Sequence, residues 1–513
     1  MAAMDEPLPA APSSGAVTAE QLGTLSHEFR TPLNGVLGMA RLLESTKLTA
    51  EQRAYVGALK QSGDHLLSLV NDVLDFTRLG AGGMDLSMGP VDPEALLRQV
   101  AELMSPRAHE KGIEIAWAVA PQLGRFVADE GRLRQVLLNF AGNAVKFTPS
   151  AEGTGGVLLL AERAAGGALR LSVQDTGPGV DPEVRAKIFR PFVQVDPAHG
   201  SQLGGAGLGL AVVSGLAQAM GSTVGVTAAP GGGADFFFEG AFEAEPSSGE
   251  VDELFGITVA IASPNPIVRD AAARQVKASG GRAVQAASLA KLLAIAPPEA
   301  VLLLDERLST PDAPVIPPAH RACIVLLAPE ERALIAPRRA AGFAGYLIKP
   351  LRRESLAARV LAAMEAGPAV IDQTAEDERI APAVATGRRV LLAEDNPINA
   401  MLARILLERE GATVERVTSG GEALAALETG RYDLVLMDLR MPGLDGLSAT
   451  RALRAKGVKT PIVALTADAF EDDRRACLNA GMDDFLVKPL TPDTLRAVLL
   501  RWTAQTQAVK VAV

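Results

Sequence analysis

The chain has 513 residues, too many for one hydrophobic core, and its 21% charged and 48% apolar residues are the balance of a folded multidomain protein. Its net charge of −10 argues against a dedicated nucleic-acid binder. The two cysteines, Cys323 and Cys477, stand far apart, which argues against a disulfide framework or a cysteine zinc site and fits a reducing, cytoplasmic setting.

No apolar run reaches the ~18 residues a membrane span needs, so no span is expected. Residues 1–16 are rich in Pro, Ala and acids and read as a disordered lead. They leave little room for a sensor domain, so the input signal is expected to enter elsewhere. Across 17–83 the spacing predicts two long helices. Leu22, Leu25, Phe29, Val36, Ala40 and Leu43 repeat every three or four residues. After a turn at Ser45–Leu48, Thr49-Ala50-Glu51-Gln52 fits a capping box. Tyr55, Leu59, Leu66, Val73 and Phe76 mark the second helix. This apolar face is too wide for two helices, so a dimeric four-helix bundle is expected.

His27 lies two residues from both Leu25 and Phe29, off the apolar stripe and facing outward. Glu28 can hydrogen-bond the imidazole and help remove its proton, leaving the other nitrogen nucleophilic. Pro32 withdraws a backbone donor beside it, at a cost of about 3 kcal/mol.

Residues 90–243 mix helices and strands. Asn139, Asn143 and Lys146 share one side of a helix. Amide oxygens there can ligate magnesium and the lysine can balance phosphate charge. Asp175-Thr-Gly177-Pro-Gly179 follows a strand predicted at 169–174. Its acid can accept an adenine amino group while the glycines allow close approach. Gly205, Gly207, Gly209 and Leu210 open an apolar helix whose N–H groups can hold phosphates. A linker is expected at 244–253.

Residues 254–366 and 388–505 look like duplicated units, joined by a second linker at 367–387 and followed by a tail at 506–513. IASPNPI, LLLDERL and GYLIKPL in the first recur in order as LAEDNPI, VLMDLRM and DFLVKPL in the second. Alternating strands and helices predict two α/β doubly wound parallel sheets. In the second unit Glu394, Asp395, Asp438, Thr466 and Lys488 all fall at strand ends. The acids suit a magnesium ion, with the Arg440 carbonyl as an extra ligand. In the first unit the acidic pair is Ser263-Pro264 and the threonine position is Leu327. Asp305 and Lys349 remain and can form a plain salt bridge.

His27-Glu28-Phe29-Arg30-Thr31-Pro32-Leu33 resembles the H-box of the dimerisation and phosphotransfer domain of histidine kinases. The three nucleotide segments resemble the N, G1 and G2 boxes of the α+β sandwich that these kinases share with DNA gyrase and related ATPases. Phe189 and Phe192 resemble the kinase F-box. Residues 388–505 are similar to an intact receiver, and 254–366 to a pseudo-receiver. The lid, Ser201-Gln-Leu-Gly-Gly-Ala206, departs from the common pattern by lacking a basic residue.

The whole arrangement is similar to soluble hybrid histidine kinases whose members answer to cyclic di-GMP. The resemblance implies ATP and magnesium as cofactors, autophosphorylation of His27, transfer to Asp438, and passage to a histidine phosphotransfer protein. It also implies an effector site on the pseudo-receiver. Arg332, Tyr346, Arg352 and Arg353 are its candidates, and Arg338 and Arg339 add to the same basic face. A solvated arginine face is the simpler reading. Glu376, Asp377, Glu378 and Arg379 are a candidate linker latch that would compete with the ligand for those arginines. The alternatives are a phosphatase-dominant protein, since Thr31 can position water in such H-boxes, and an inactive scaffold. A DNA-handling ATPase would share the nucleotide boxes but not the H-box or the receivers.

Overall fold

The structure is a computed structural model. It describes residues 86–150, 153–164, 166–193, 207–243, 252–310, 314–366, 384–466, 471–488, 490 and 494–502, with scattered positions between 33 and 77. His27, Glu28, Gly205, Asp377, Glu378 and Arg379 lie outside the described residues.

The described residues of 33–43 and 51–77 are helical except around the turn. The Thr49 N–H donates to Gln52 Oε1 at 3.0 Å and the Gln52 N–H to Thr49 Oγ1 at 3.2 Å, so the predicted capping box forms. Leu37, Ala40 and Val56 are buried, whereas Val36, Met39, Leu43, Tyr55, Leu59, Leu66 and Val73 remain exposed. A single chain therefore leaves much of this apolar face uncovered.

Residues 89–240 build two sheets. β1 (Gly89–Val91) pairs with β3 (Phe126–Ala128). The larger sheet joins β2 (Glu114–Val119), β4 (Gly156–Arg163), β5 (Leu169–Asp175), β6 (Thr223–Ala228) and β7 (Ala234–Gly240) in the order β2-β4-β5-β7-β6. Only the β2–β4 pair is parallel. Against one face pack α1 (Pro93–Glu110), α2 (Glu130–Phe147) and α3 (Gly209–Ala219). Ile115, Trp117 and Val119 on β2 and Val157, Leu159 and Ala161 on β4 point into that core. The intervening Ala116, Ala118, Leu158 and Leu160 point the other way and are also buried. A strand apolar on both faces needs a second covering layer.

That layer is the next unit. It comprises β8 (Thr258–Ala262), α4 (Pro266–Ala278), β9 (Arg282–Ala286), α5 (Leu289–Ile295), β10 (Val301–Asp305), β11 (Cys323–Leu327), α6 (Ile335–Ala340), β12 (Gly345–Ile348) and α7 (Arg353–Ala366). The sheet is parallel, in the order β12-β11-β10-β8-β9. Ile267 and Ala271 of α4 cover Ala116, Ala118, Leu158 and Leu160. Buried Gln275 donates to the carbonyls of Trp117 at 2.8 Å and Leu351 at 3.0 Å, tying both domains together. The Asn265 amide donates to the Gly153 and Gly155 carbonyls at 2.9 and 3.1 Å.

The last unit repeats the topology with β13 (Arg389–Ala393), α8 (Pro397–Arg409), β14 (Thr413–Val417), α9 (Gly420–Thr429), β15 (Leu434–Asp438), α10 (Gly446–Ala455), β16 (Ile462–Thr466), α11 (Glu471–Ala480) and β17 (Asp484–Val487). Its parallel order is β14-β13-β15-β16-β17. In both units the first strand sits beside the third, the switch point that places ligand-binding groups at the carboxyl ends.

Candidate functional site

The nucleotide segments converge at one end of the larger sheet. On α2 the buried residues Leu133, Val136, Leu137, Phe140, Ala144 and Val145 fix the core face. Asn139, Asn143 and Lys146 therefore fall on the half-buried side, as their spacing predicts. Lys111 caps this helix, donating to the carbonyls of Val145 at 2.8 Å and Lys146 at 2.5 Å. That role was not readable from the sequence. Burial lowers the Lys111 and Lys146 ammonium pKa values.

Asp175 is the last residue of β5, one beyond the predicted strand end. Its Oδ1 accepts from the N–H groups of Gly177 at 2.8 Å and Ala234 at 3.1 Å. Burial raises its pKa against those two donors, and Asp235 adds to the rise. A Cβ at Gly177 would stand 2.9 Å from Asp175 Oδ1, and Gly179 takes φ +79 beside Gly233. Both positions require glycine for close approach. Gly207 has φ +69 against Val193 and Phe192, and Gly209 begins α3 against the Asn139 side chain. Leu210 packs on the core. So does Phe189, whose ring meets Phe236 edge-on at 6.5 Å. Phe189 thus belongs to the core of this domain, whereas Phe192 is exposed.

The last unit gathers its acids at the ends of β13 and β15. Carboxylate oxygens of Glu394, Asp395 and Asp438 lie within 4.8 Å of one another, close enough for one oxygen-preferring divalent cation to bridge. Lys488 Nζ stands 2.5 Å from Asp438 Oδ2 and 2.5 Å from Glu394 Oε2. The Arg440 N–H donates to Asp438 Oδ1 at 3.2 Å, and buried Thr466 ends β16. Burial raises the Glu394 pKa, Lys488 opposes it, and the neighbouring Asp438 charge adds to the rise. Two residues escaped the sequence reading. Asn399 donates to Glu394 Oε1 at 3.1 Å, and the Arg416 guanidinium bonds the Glu394 and Asp395 carbonyls.

The preceding unit keeps the geometry of Asp305 and Lys349 but changes what surrounds them. Both are fully buried, and Lys349 Nζ lies 3.1 Å from Asp305 Oδ1. The salt bridge expected from the sequence therefore forms. The Ser263 hydroxyl donates to Asp305 Oδ2 at 2.5 Å. The candidate effector residues are dispersed. Tyr346 lies on β12 with the Arg359 guanidinium 5.8 Å over its ring. Arg352 and Arg353 are ion-paired to Glu102 and Glu94 of α1, at 2.9 and 2.7 Å. Arg338 is paired with Glu306 and Arg332 follows β11 in a short 3-10 turn. The basic face predicted as one patch is partly spent on contacts with the ATP-binding domain.

Residues 18–82 match the His Kinase A (phospho-acceptor) domain, residues 128–243 the Histidine kinase-, DNA gyrase B-, and HSP90-like ATPase family, and residues 390–500 the Response regulator receiver domain. The crystal structure of full-length ShkA in complex with AMPPNP is 64% identical, covers 95% of this chain and 100% of that one, and superposes with a TM-score of 0.64. The chain belongs to the hybrid histidine kinases. A structure of ShkA Rec1 in complex with c-di-GMP is 57% identical over 22% of this chain and 95% of that one, with a TM-score of 0.21. The sensor histidine kinase GacS of Pseudomonas protegens is 33% identical over 519 residues, 95% of this chain and 55% of that protein. This hybrid kinase spans about half the length of the curated relatives it matches. None of its described helices is long and apolar enough to cross a membrane.

Proposed function

We propose that this hybrid kinase phosphorylates itself on His27 from ATP, passes the phosphoryl group to Asp438 and hands it to a separate histidine phosphotransfer protein. A His27 ring nitrogen attacks the γ-phosphorus, the bond to the bridging oxygen breaks and ADP leaves. Glu28 takes up the ring proton. Asp438 then attacks the same phosphorus, the P–N bond breaks and the imidazole recovers a proton. The observation that carries this reading is the Asp438 site: a nucleophilic carboxylate 2.5 Å from Lys488 Nζ, with Glu394 and Asp395 alongside. Magnesium, held by Glu394, Asp395, Asp438 and the Arg440 carbonyl, would supply charge neutralisation there. Lys488 would balance the incoming phosphoryl oxygens, and Thr466, at the end of β16, would meet them from the same sheet edge. In the nucleotide pocket Asp175 would receive the adenine amino group, Asn143 would hold the magnesium, and Asn139 and Lys146 would serve the phosphates. Gly207 and Gly209 would allow close backbone approach to the phosphates, with Gly205 as a further candidate.

The exposed apolar residues of the hairpin support a homodimer. Cyclic di-GMP is the proposed effector of the pseudo-receiver. Tyr346 with Arg359 over its ring offers the aromatic face and cation that a guanine base would use. Arg332 is the phosphate candidate, while Arg352 and Arg353 would have to leave Glu102 and Glu94. Asp377, Glu378 and Arg379 remain the proposed latch.

Incubation of Asp438→Asn with radiolabelled ATP and magnesium should give acid-labile, base-stable phosphate on His27, and His27→Ala should abolish all label in the otherwise native chain. Absence of label in the native protein would sink the reading. Calorimetry on the full chain should show cyclic di-GMP binding that Tyr346→Ala weakens. Equal autophosphorylation with and without the dinucleotide, and no binding heat, would remove the effector from it.

A further inference from the structure

Lys349 and Lys488 occupy equivalent places, and each touches two carboxylates. For Lys488 both belong to its own domain, Asp438 and Glu394. For Lys349 one is Asp305 and the other is Glu114, the first residue of β2 in the ATP-binding domain. Lys349 Nζ lies 2.6 Å from Glu114 Oε1, and Arg307 Nε lies 3.0 Å from the same oxygen. His109 Nε2 faces Glu114 Oε2 at 3.8 Å. Glu114 is fully buried. Where the receiver has Glu394, the pseudo-receiver has Ser263, whose hydroxyl reaches Asp305 but brings no charge.

We infer that Glu114 is a built-in occupant of the pseudo-receiver's acceptor pocket, a carboxylate supplied by the ATP-binding domain that completes the site and locks the two domains together. An isolated buried ammonium is strongly unfavourable, and so is an isolated buried carboxylate. Here Asp305, Lys349, Glu114 and Arg307 alternate in sign and balance. Burial alone would push the Glu114 pKa up and the Lys349 pKa down. The ion contacts overturn both, so Glu114 falls to about 2 and Lys349 rises above its ordinary value. Asp305 is itself fully buried beneath this lock, with one oxygen held by Ser263 and the other by Lys349 and the Arg307 N–H. The surrounding contacts favour the same docked pose. The Asn265 amide donates to the Gly153 and Gly155 carbonyls, and the Gly155 carbonyl also accepts from the Glu114 N–H at 3.0 Å.

Amide hydrogen exchange on the full-length protein tests this. Breaking one partner of a buried pair should speed exchange on the order of a hundredfold in Glu114→Gln. The acceleration should appear together in 114–119 and in 258–262 and 301–309, with 389–438 unchanged. Lys349→Met should do the same, and the Glu114→Gln/Lys349→Met double variant should lose less than the two single effects multiplied. If Glu114→Gln is too unstable to measure, Arg307→Gln offers a milder break at the half-exposed rim, expected to speed the same segments about tenfold. Native protection of the pseudo-receiver in either Glu114→Gln or Arg307→Gln would overturn the lock. So would single effects that simply multiply in the double variant.

Discussion

The two receiver-like units share strand order, an aspartate at the end of the third strand and a lysine after the fifth, yet their pockets serve different ends. Around Asp438 the charge is unbalanced. Three carboxylates face one lysine, and an added cation is the physical remedy. Around Asp305 the charge is closed. Ser263 has replaced an acid, Glu114 enters from the neighbouring domain, and no deficit remains for a cation to fill. One pocket leaves a charge for an added cation to balance; the other closes its own charge across a domain boundary.

The largest expected difference follows from that contrast. Asp438→Asn should abolish phosphate on the receiver while His27 stays labelled. Asp305→Asn should leave the receiver phosphate in place. Labelled peptides after proteolysis would separate the two, and phosphate on Asp305 in the native protein would break the contrast. Next in size is the lysine pair. Lys349→Met removes the cation that buried Asp305 and Glu114 share, leaving Glu114 to Arg307, and should destabilise the docked unit by about 3 kcal/mol. The Lys488 side chain is 18% exposed against 2% for Lys349, so Lys488→Met should cost less stability than Lys349→Met, while slowing transfer to Asp438. Denaturant titration and relay kinetics together read both, and equal loss of stability would contradict the assignment.

Much of this was legible before any coordinates. The capping box Thr49–Gln52 and the half-buried face of Asn139, Asn143 and Lys146 followed from local spacing. So did the strand-end placement of Glu394, Asp438, Thr466 and Lys488. Each is set by residues within a few turns or by one repeated pattern. Glu114 was not legible, because its partner Lys349 is far along the chain and a single acid opening a strand carries no local signature. A hint was present in β4, where Val157–Ala161 is apolar at every position. That run demands cover on both faces, but it does not say which domain supplies it. The partners of two effector candidates were hidden for a related reason. Composition placed Arg352 and Arg353 on a basic face, and only tertiary packing revealed Glu102 and Glu94 opposite them.

The pH dependence sharpens the comparison further. Glu114 titrates near 2 in the folded protein and near its ordinary 4.5 when unfolded. A depressed carboxylate stabilises fully above its unfolded pKa and loses that contribution as pH falls through the folded one. About 3 kcal/mol of docked-unit stability should therefore disappear between pH 4.5 and 2. Glu114→Gln should flatten that slope by about one proton. An unchanged slope in the variant would mean that the carboxylate is not held as described.

The smallest effect belongs to the rim of the same interface. Arg352 and Glu102 pair at 2.9 Å, but their side chains are 24% and 31% exposed. Solvent screens such a pair, and holding two long side chains in one geometry takes back part of the gain, so Arg352→Ala should cost less than about 1 kcal/mol. Added salt should weaken the native contribution further, whereas the Lys349–Glu114 contact, removed from solvent, should respond far less. The two measurements belong in one titration series with and without salt. If Arg352→Ala proves as damaging as Lys349→Met, and equally indifferent to salt, then the domains are held by their rim. The buried carboxylate in the acceptor pocket would be a passenger of the docking rather than its cause.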